Sequence, residues 1–372
     1  MRIYPSLFIV ISLGLLSCKH FSENQLSHES TFQSSPSSGN DRKDIPQRAV
    51  IAHRGASHDA PEGTHAAYIL AKDLGVDYLE VDLQITKDGH LIAFHDKTLA
   101  RTTNIADVFP NRIKDNLETF TLSQLKSLDA GTWFNQKYPD RRRAGFAGLK
   151  ILTLEEVIDI AEQGNNVPGL YIETKKTKYK GHIEKDLRDL LLRKGWISKK
   201  ELSNTKGKAR VILQTFEKES LKRFKTYLPQ QHAALLLWLG EGYVETKETT
   251  KKTEQESWSQ YYARQEPQSK EAFTSWLDFA LENGASIAGP SISRSDLGDQ
   301  SYGDMMKPWM IKEMKERGLM IHPYTVDSIV DFKKHDALGA VGFFTNRPAV
   351  LLEFYDRASS NSVQQILAKH GY

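Results

Sequence analysis

The feature that most constrains this chain is an alternation of short apolar runs with amphipathic segments, which begins at Ala49 and continues to residue 345. The apolar runs are rich in β-branched and aromatic residues and are hydrophobic throughout, which is typical of parallel strands buried on both faces. Strands are predicted at residues 49–53, 78–85, 91–95, 169–174, 210–216, 233–239, 285–289, 319–326 and 341–345.

Amphipathic helices are predicted between many of these strands, and several end at glycine, a common C-terminal stop. They include THAAYILAKDLG, TLEEVIDIAEQG, KDLRDLLLRKG and PWMIKEMKERG. Repeated strand–helix units indicate an α/β fold, either a barrel or a doubly wound sheet. The sequence contains neither G-x-G-x-x-G nor a Walker A motif, which disfavours a nucleotide-binding sheet.

Two segments interrupt the alternation, and both are longer than ordinary connections. Residues 97–148 mix polar and aromatic residues and are predicted to form a small inserted subdomain after the third strand. Residues 240–270 are strongly charged and are predicted to be a solvated surface excursion. The folded domain is predicted to span residues 49–355, with a C-terminal tail at 356–372.

The N-terminus is predicted to be a signal peptide, residues 1–18. Its apolar core is too short for a permanent bilayer span and is preceded by a basic residue. The sequence LLSC, ending at Cys18, resembles a bacterial lipobox, in which the cysteine becomes the acylated first residue. Cys18 is the only cysteine of the chain, which excludes an intramolecular disulfide. A plain signal peptide with an incidental cysteine is the alternative.

Residues 19–48 are polar and rich in serine, a composition that predicts a flexible linker between membrane and folded domain. The expected location is therefore the cell envelope. Lys19 rather than aspartate after the cysteine favours the periplasmic face of an outer membrane, with membrane contact through the lipid anchor only. A formal net charge of +3 gives no indication of a nucleic-acid partner.

The dipeptide Asp88–Gly89, between the second and third predicted strands, indicates a hairpin with a two-residue turn. That turn would place Asp82 opposite His95. Glu80 lies two residues from Asp82 and therefore points to the same face. Carboxylates within so apolar a strand need partners if they are buried. The sequence thus gathers two acids and a histidine at one place.

Other charged residues also lie at the ends of predicted strands. Glu173 and Lys175 share one face at the end of the strand that begins at Gly169, and His53 and Arg54 end the first strand. In α/β barrels, functional side chains collect at the carboxyl ends of the strands. We therefore expect these residues to meet the hairpin cluster.

Together these residues describe a site for a phosphodiester. Three carboxylates, Glu80, Asp82 and Glu173, form a hard oxygen site suited to one Ca²⁺ or Mg²⁺ ion. The neighbouring arginine and lysine have the charge to bind phosphate. Two histidines supply an acid and a base near neutral pH.

The motifs HRGASHDAPEGT, LEVDLQITKDGHLIAFHD and ETK resemble those of the glycerophosphodiester phosphodiesterases, over residues 49–350. VILQTFEKESLKRF, IHPYTV and GFFTNRP are similar to the periplasmic branch of that family. Gly63 departs from the asparagine that many members have.

The resemblance implies a TIM (β/α)8-type barrel and metal-dependent hydrolysis of deacylated phospholipids to glycerol 3-phosphate and an alcohol. It implies catalysis by His53 and His95, substrate binding by Arg54 and Lys175, metal binding by Glu80, Asp82 and Glu173, and orientation of this set by Glu62.

Several other residues are candidates for substrate contact, with core packing as the alternative: Gln214, Phe216, His322, Tyr324, Trp133, Phe134 and Trp309.

Two other functions remain open. One is a lysophospholipase D-like phosphodiesterase with the same barrel, which would need an apolar groove. The other is a non-catalytic binding or adhesion lipoprotein, which would lack a histidine or a carboxylate. The alcohol specificity, the choice of ion, the oligomeric state and the acid and base assignments stay undetermined.

Overall fold

The computed structural model describes residues 44–179, 181–198, 204–205, 208–240, 242–294 and 302–372. The predicted signal peptide, Cys18 and most of the predicted linker lie outside the described residues. The strands are β1 (Ala49–Ala52), β2 (Tyr78–Ile85), β3 (Leu91–Ala93), β4 (Leu152–Thr153), β5 (Gly169–Thr174), β6 (Asn204–Thr205), β7 (Lys208–Ala209), β8 (Val211–Thr215), β9 (His232–Leu237), β10 (Ile287–Pro290), β11 (Met320–Ile321) and β12 (Gly342–Thr345).

The α-helices are α1 (His65–Leu74), α2 (Ile105–Val108), α3 (Leu122–Ser127), α4 (Thr132–Lys137), α5 (Leu154–Glu162), α6 (Ile183–Arg193), α7 (Lys218–Tyr227), α8 (Trp258–Ala263), α9 (Lys270–Glu282), α10 (Pro308–Glu316), α11 (Ile329–Leu338), α12 (Pro348–Phe354) and α13 (Val363–Lys369). Short 3-10 helices cover Pro110–Arg112, Leu117–Thr119 and Ala144–Phe146. Within the described ranges, no helix combines the length and the apolarity that crossing a bilayer would require.

Eight parallel strands form a closed barrel, in the order β11-β10-β9-β8-β5-β2-β1-β12. The ends of this series meet through backbone hydrogen bonds: Val341 N–H donates to Ile321 O (3.0 Å) and Val326 N–H donates to Phe344 O (2.8 Å). A helix follows each barrel strand, so the TIM-barrel prediction is confirmed and the doubly wound sheet is excluded. Strand β11 is shorter than predicted because neither Pro290 on β10 nor Pro323 has an N–H to complete the ladder, although His322 N–H still donates to Ala288 O (3.0 Å) and Tyr324 N–H to Pro290 O (3.1 Å).

The barrel interior is set by the two-residue period of the strands. Its lower layers are apolar and consist of Ile45, Ala49, Ile51, Tyr78, Tyr171, Ala209, Ile212, Ala234, Ile287, Met320 and Phe344. A larger apolar layer lies between the strands and the surrounding helices. A residue that follows an inward-facing core residue by two positions on the same strand also points into the barrel. Its side chain lies closer to the barrel mouth.

The β2–β3 hairpin differs from the prediction by one residue. Thr86 N–H donates to His90 O (2.9 Å) and Gly89 N–H donates to Thr86 O (3.0 Å), which closes a three-residue turn. Gly89 has φ +85°, the left-handed conformation that such a turn with a bulge requires. Strand β3 pairs with β2 and β4 only and lies outside the closed barrel.

The predicted pairing of Asp82 with His95 is therefore wrong. The observed register aligns Leu83 with Ala93, and Phe94 N–H donates to Asp82 O (2.9 Å). A two-residue turn was expected because Asp-Gly favours it, but the Thr86 hydroxyl also bonds Asp88 Oδ1 (2.7 Å) and widens the turn. His95 lies beyond the end of β3, so sheet register does not fix the direction of its side chain.

Residues 97–148 contain helices α2, α3 and α4 and the three 3-10 helices. They share a separate small apolar core with the end of the hairpin, which includes Phe94, Leu117 and Phe120. A capping box at Thr121, whose side chain accepts from Gln124 N–H, begins α3. The first part of the segment is thus folded around its own core, whereas Phe134 and Phe146 in its second part belong to the main apolar layer around the barrel.

Both ends of the described barrel domain extend beyond the predicted boundaries. Ile45, assigned by sequence to the linker, is fully buried under the barrel, and Ala209 N–H donates to Asp44 O (2.8 Å). At the other end, α13 lies within the predicted tail, buries Leu367 and packs against α1. Tyr372 Oη lies 2.8 Å from His65 Nδ1.

Candidate active site

A cavity of about 530 Å³ lies at the carboxyl ends of the barrel strands. Four of the polar side chains that line it stand two residues beyond an inward-facing core residue: His53 after Ile51, Glu80 after Tyr78, Glu173 after Tyr171 and Gln214 after Ile212. The lining residues are His53, Arg54, Glu80, His95, Glu173, Lys175, Gln214, Phe216, Leu236, Trp238, Tyr243, Tyr302, Tyr324, Thr325 and Phe344.

Three carboxylates meet beside this cavity. Ligand oxygens of Glu80, Asp82 and Glu173 lie within 4.8 Å of one another, and all three residues are buried. Burial and the charge of Asp82 raise the pKa of Glu80 well above its usual value. Burial likewise raises the pKa of Glu173 to about 7. A buried set of hard oxygen donors with this mutual repulsion fits a divalent cation, which would favour the ionised form of all three acids.

Two cations hold Asp82 from opposite sides. Lys175 Nζ lies 2.8 Å from Asp82 Oδ1 and 2.6 Å from Glu173 Oε1, and Arg54 Nε lies 3.1 Å from Asp82 Oδ2. Burial opposes ionisation, but Lys175, with smaller contributions from His95 and Arg54, holds the pKa of Asp82 far below its usual range. Asp82 is therefore the carboxylate that stays ionised.

A tight turn sets the position of Arg54. Its backbone N–H donates to Glu80 Oε2 (2.8 Å), and its φ is +58°. Gly55 follows with φ +82°, and a Cβ there would lie 2.6 Å from the backbone of Ala67. Only glycine permits helix α1 to approach the turn this closely. The sequence HRG thus ends β1 and directs the histidine and the guanidinium into the site together.

Glu62 connects this turn to the inserted subdomain. It accepts from Arg54 NH1 (2.9 Å) and takes a bidentate contact from Arg101 at 2.7 and 2.6 Å. Arg101 also bonds Asp96 through Nε at 2.6 Å. Glu62 thus reaches the site through its contact with Arg54, and its orienting role stays a prediction. Gly63 has φ +68°, a conformation that asparagine also tolerates, which accounts for the family alternative at this position.

The ring of His53 is fixed by a neutral partner. Asn346 Nδ2 donates to Asp327 Oδ2 (2.7 Å), so Asn346 Oδ1 faces His53 Nδ1 at 2.7 Å. An amide oxygen only accepts, so Nδ1 carries the proton and Nε2 keeps its lone pair. Burial, followed by the charge of Arg54, lowers the pKa of His53 to about 3. His53 is therefore neutral, with a basic nitrogen available.

His95 has a charged partner instead. Its Nδ1 donates to Asp96 Oδ1 at 2.6 Å, which also leaves Nε2 free. Burial lowers the pKa of His95, as do Arg54 and Lys175, whereas Asp82 and Asp96 act in the opposite direction. The two histidines thus differ in the charge of the group behind the ring, amide for His53 and carboxylate for His95.

The structure sorts the remaining candidates into lining and non-lining residues. Gln214, Phe216 and Tyr324 line the cavity. Gln214 Nε2 donates to Glu80 Oε1 (3.1 Å), and its buried Oε1 has no hydrogen-bond partner among the described residues. His322 is fully buried in the barrel, with Nδ1 3.3 Å from Tyr171 Oη.

The other aromatic candidates lie elsewhere. Trp133 and Phe134 pack against each other and against Tyr138 in the inserted subdomain, and Trp309 is exposed on α10 against Phe273. Sequence reasoning missed two groups of residues. Six line the cavity, namely Leu236, Trp238, Tyr243, Tyr302, Thr325 and Phe344, and two support its histidines, namely Asn346 and Asp96. Asn346 and Asp96 stand inside the quoted motifs GFFTNRP and HD, which were the available signal.

Comparisons with known proteins agree on one family. The sequence profile of the glycerophosphoryl diester phosphodiesterase family matches residues 53–350. A glycerophosphodiester phosphodiesterase of Bacillus subtilis is 33% identical over 344 residues, covering 91% of this chain and 93% of the relative. One from Caldanaerobacter subterraneus is 29% identical over 303 residues, covering 82% and 96%.

Solved structures share the fold. A phosphodiesterase of Oleispira antarctica, solved with the product sn-glycerol-3-phosphate, has a TM-score of 0.57 at 20% identity over 83% of this chain and 96% of that chain. A putative glycerophosphodiester phosphodiesterase of Galdieria sulphuraria has a TM-score of 0.57 at 19% identity, covering 84% and 99%.

Proposed function

The chain belongs to the glycerophosphoryl diester phosphodiesterase family and is a glycerophosphodiester phosphodiesterase, and from this premise we propose a reaction that uses one divalent cation and two histidines of opposite roles. The substrates are glycerophosphodiesters, and the products are sn-glycerol 3-phosphate and an alcohol. The observation that carries the proposal is the convergence of three buried carboxylates, two cations and two differently supported histidines on one cavity.

The cation would be held by Glu80, Asp82 and Glu173. An all-oxygen donor set suits Ca²⁺ or Mg²⁺. When bound, the ion supplies positive charge that stabilises the negative charge of the reacting phosphate. The two raised carboxyl pKa values support this assignment, because a nearby divalent charge is what would keep Glu80 and Glu173 ionised at neutral pH.

Arg54 and Lys175 bind the phosphate. Both side chains line the cavity, and their positions are set by ion pairs with Asp82 and, for Arg54, also with Glu62. Because these contacts fix the donors before substrate arrives, little reorganisation is needed as charge develops on phosphorus. Gln214, which also lines the cavity, supports Glu80 by donating from Nε2 to its Oε1 (3.1 Å).

His53 acts as the base and His95 as the acid. His53 Nε2 removes the proton from the attacking hydroxyl, either of water or of the substrate's glycerol, as its oxygen forms a bond to phosphorus. Attack by water gives glycerol 3-phosphate directly. Attack by the glycerol hydroxyl gives a cyclic phosphate, and a water must then bond to phosphorus while one ring P–O bond breaks and its oxygen takes a proton, to give glycerol 3-phosphate. The bond from phosphorus to the alcohol oxygen breaks, and His95 Nε2 gives that oxygen its proton. Burial and the charge of Arg54 keep His53 uncharged, and the neutral Asn346 behind its ring adds no carboxylate charge that would oppose them, whereas Asp96 behind His95 stabilises an imidazolium.

The direct test measures release of glycerol 3-phosphate from glycerophosphocholine by the purified protein, before and after exhaustive chelation. We expect turnover that chelation abolishes and that Ca²⁺ or Mg²⁺ restores. Turnover that survives chelation would contradict the metal part of the proposal. No product from any glycerophosphodiester, with either ion present, would contradict the activity.

We also propose that the enzyme is lipid-anchored in the cell envelope through Cys18, on the periplasmic face of the outer membrane. The support is the LLSC sequence after an apolar run and the polar residues that follow it. Stable anchoring takes more than one acyl chain, which a lipoprotein cysteine carries. The substitution Cys18→Ser should move the enzyme from the membrane fraction to the soluble fraction with activity unchanged. Wild-type enzyme found wholly in the soluble fraction would contradict anchoring.

A further inference from the structure

The side of the cavity opposite the charged residues is formed by aromatic rings, here called the aromatic wall. It consists of Phe216, Trp238, Tyr243, Tyr302 and Tyr324. Phe216 contacts Tyr243 and Tyr324 with centroids 5.7 Å apart in each pair, and Tyr302 lies 5.2 Å from Trp238. All five residues are half-buried, so each keeps part of its ring accessible.

The wall is assembled from separate segments of the chain. Phe216 follows β8, Trp238 and Tyr243 follow β9, Tyr302 follows β10 and Tyr324 follows β11. The charged residues come from the ends of β1, β2 and β5 and from the residues after β3. A phosphodiester held at the charged side therefore has one of its two substituents directed towards the rings.

The wall offers few hydrogen bonds to a ligand. Tyr243 Oη already donates to Glu217 Oε1 (3.0 Å), and Tyr324 Oη donates to Leu237 O (2.7 Å). The other lining side chains on this side are apolar, apart from Tyr302, Thr325 and the indole N–H of Trp238. A polyol or a primary ammonium group would lose hydrogen bonds with water here and regain few of them. A quaternary ammonium group has no donor to lose.

Cation binding also matches the electronic character of the rings. Aromatic faces attract cations, and the net gain is larger where the site is partly dry, which suits a quaternary ammonium group because it gives up no hydrogen bonds to water on entering. The hydrogen bond to the Glu217 carboxylate adds electron density to the ring of Tyr243. Among the described residues, lysines and arginines lie over other rings, such as Trp276 and Trp258, and none is recorded over the five rings of the wall.

Resting on the proposed function, we infer that the aromatic wall is a subsite for a quaternary ammonium head group, so that the enzyme prefers glycerophosphodiesters whose alcohol is choline-like. The charged side then holds the phosphate and the glycerol. The preference follows from the contrast between the two sides of one cavity, since only the aromatic side can accept a cation without hydrogen bonds.

The test compares three substrates of the full-length enzyme: glycerophosphocholine, its 3,3-dimethylbutyl isostere, in which carbon replaces nitrogen, and glycerophosphoglycerol. We expect kcat/KM for the choline ester to exceed that for the neutral isostere by about 10-fold, in line with a partly desolvated cation–π contact. Equal values for choline ester and isostere would overturn the inference, because the wall would then be merely apolar. Equal values for choline ester and glycerophosphoglycerol would also overturn it and leave the proposed function intact.

Variants locate the preference. Trp238→Leu and Tyr302→Leu should each reduce the ratio of choline ester to isostere towards one, whereas Trp309→Leu, an exposed tryptophan outside the cavity, should keep it. An unchanged ratio in both wall variants would contradict the assignment.

A binding experiment tests the subsite independently of turnover, should no diester be hydrolysed. It titrates the tryptophan fluorescence of the enzyme with choline and with 3,3-dimethylbutan-1-ol. Tighter binding of choline supports it, and equal binding overturns it.

Discussion

The two sides of the cavity differ in how their residues are held. On the charged side every ionic group is tied to others: Arg54, Asp82 and Lys175 form one connected set of ion pairs with Glu62 and Glu173. On the aromatic side the rings meet in edge-to-face or tilted pairs at centroid distances of 5.2–6.5 Å, and the hydroxyls of Tyr243 and Tyr324 donate to Glu217 and to the Leu237 carbonyl. The ion pairs hold the charged groups in fixed positions for catalysis. The aromatic side is a contact surface in which a single ring can be replaced without leaving a buried charge unpaired.

This difference has an energetic reason. Removal of one member from a buried ionic set leaves its partner uncompensated, at a typical cost of about 3–5 kcal/mol. Loss of one half-buried ring removes contact area, and an aromatic pair contributes only about 0.5–1.5 kcal/mol beyond that area. We therefore expect substitutions on the charged side to be severe and substitutions on the aromatic side to be graded.

The largest effect should follow disruption of the metal site. Glu80→Gln removes one negative ligand, so we expect activity below detection even with excess Ca²⁺ or Mg²⁺. The independent measurement is thermal unfolding, because an ion that binds only the folded state raises Tm in proportion to ln(1 + [ion]/Kd). Wild type should show an ion-dependent rise that the variant lacks. The exposed Glu316→Gln serves as the matched control, and an equal Tm rise in all three proteins would place the ion elsewhere.

The next largest effect concerns the two histidines. His53→Ala and His95→Ala should each reduce kcat by about 10²–10⁴-fold while the fold and ion-dependent Tm shift persist. A substrate with a nitrophenol leaving group needs little protonation, so it should restore turnover in His95→Ala and leave His53→Ala inactive. The reverse pattern would exchange the two roles. Near-normal hydrolysis of glycerophosphocholine by both variants would contradict the two-histidine reaction.

A smaller and more diagnostic effect is expected from Asn346→Asp. The wild-type pKa of His53 is lowered by burial and Arg54, so the base stays neutral down to acidic pH. A carboxylate at position 346, 2.7 Å from Nδ1, adds to the favourable charge of Asp82 and should raise that pKa by about 1–3 units. The base is then lost as pH falls through the higher value, so the acidic limb of kcat/KM moves to higher pH.

Asn346→Ala separates charge from positioning in this experiment. It removes the acceptor that fixes the His53 tautomer without adding a charge, so kcat should fall with no upward movement of the acidic limb. If Asn346→Asp and Asn346→Ala give the same pH profile, the amide does not control the protonation of His53.

The smallest effect is expected on the aromatic wall. Phe216→Leu keeps an apolar side chain in place, and the remaining four rings still surround the cavity. We expect kcat/KM for glycerophosphocholine to fall no more than about 10-fold, with the acidic limb of the pH profile unchanged. A loss of activity as large as that of His53→Ala would contradict the expected difference between the two sides of the cavity, because a single ring would then be as essential as a charged residue.

The sequence by itself determined the succession of strands and helices and most of the charged side, whereas the choice of a barrel over a doubly wound sheet came from the family resemblance. The strand positions follow from continuous apolar runs, and a period of two brings Glu80 and Asp82, or Glu173 and Lys175, to one face without reference to the rest of the chain. The HRG turn is equally local, because the left-handed conformation and the close approach of α1 demand glycine at Gly55. These features depend on neighbours a few residues apart.

Only the tertiary structure decided the rest. Asn346 lies 293 residues from His53 along the chain and meets it because β1 pairs with β12 when the barrel closes. The aromatic wall is likewise built from four strand ends that closure brings around one cavity. Even the hairpin register depended on a side-chain bond of Thr86 that competes with the usual Asp-Gly turn. Contacts of this kind are set by the closing geometry of the whole barrel, and no local periodicity in the chain encodes it.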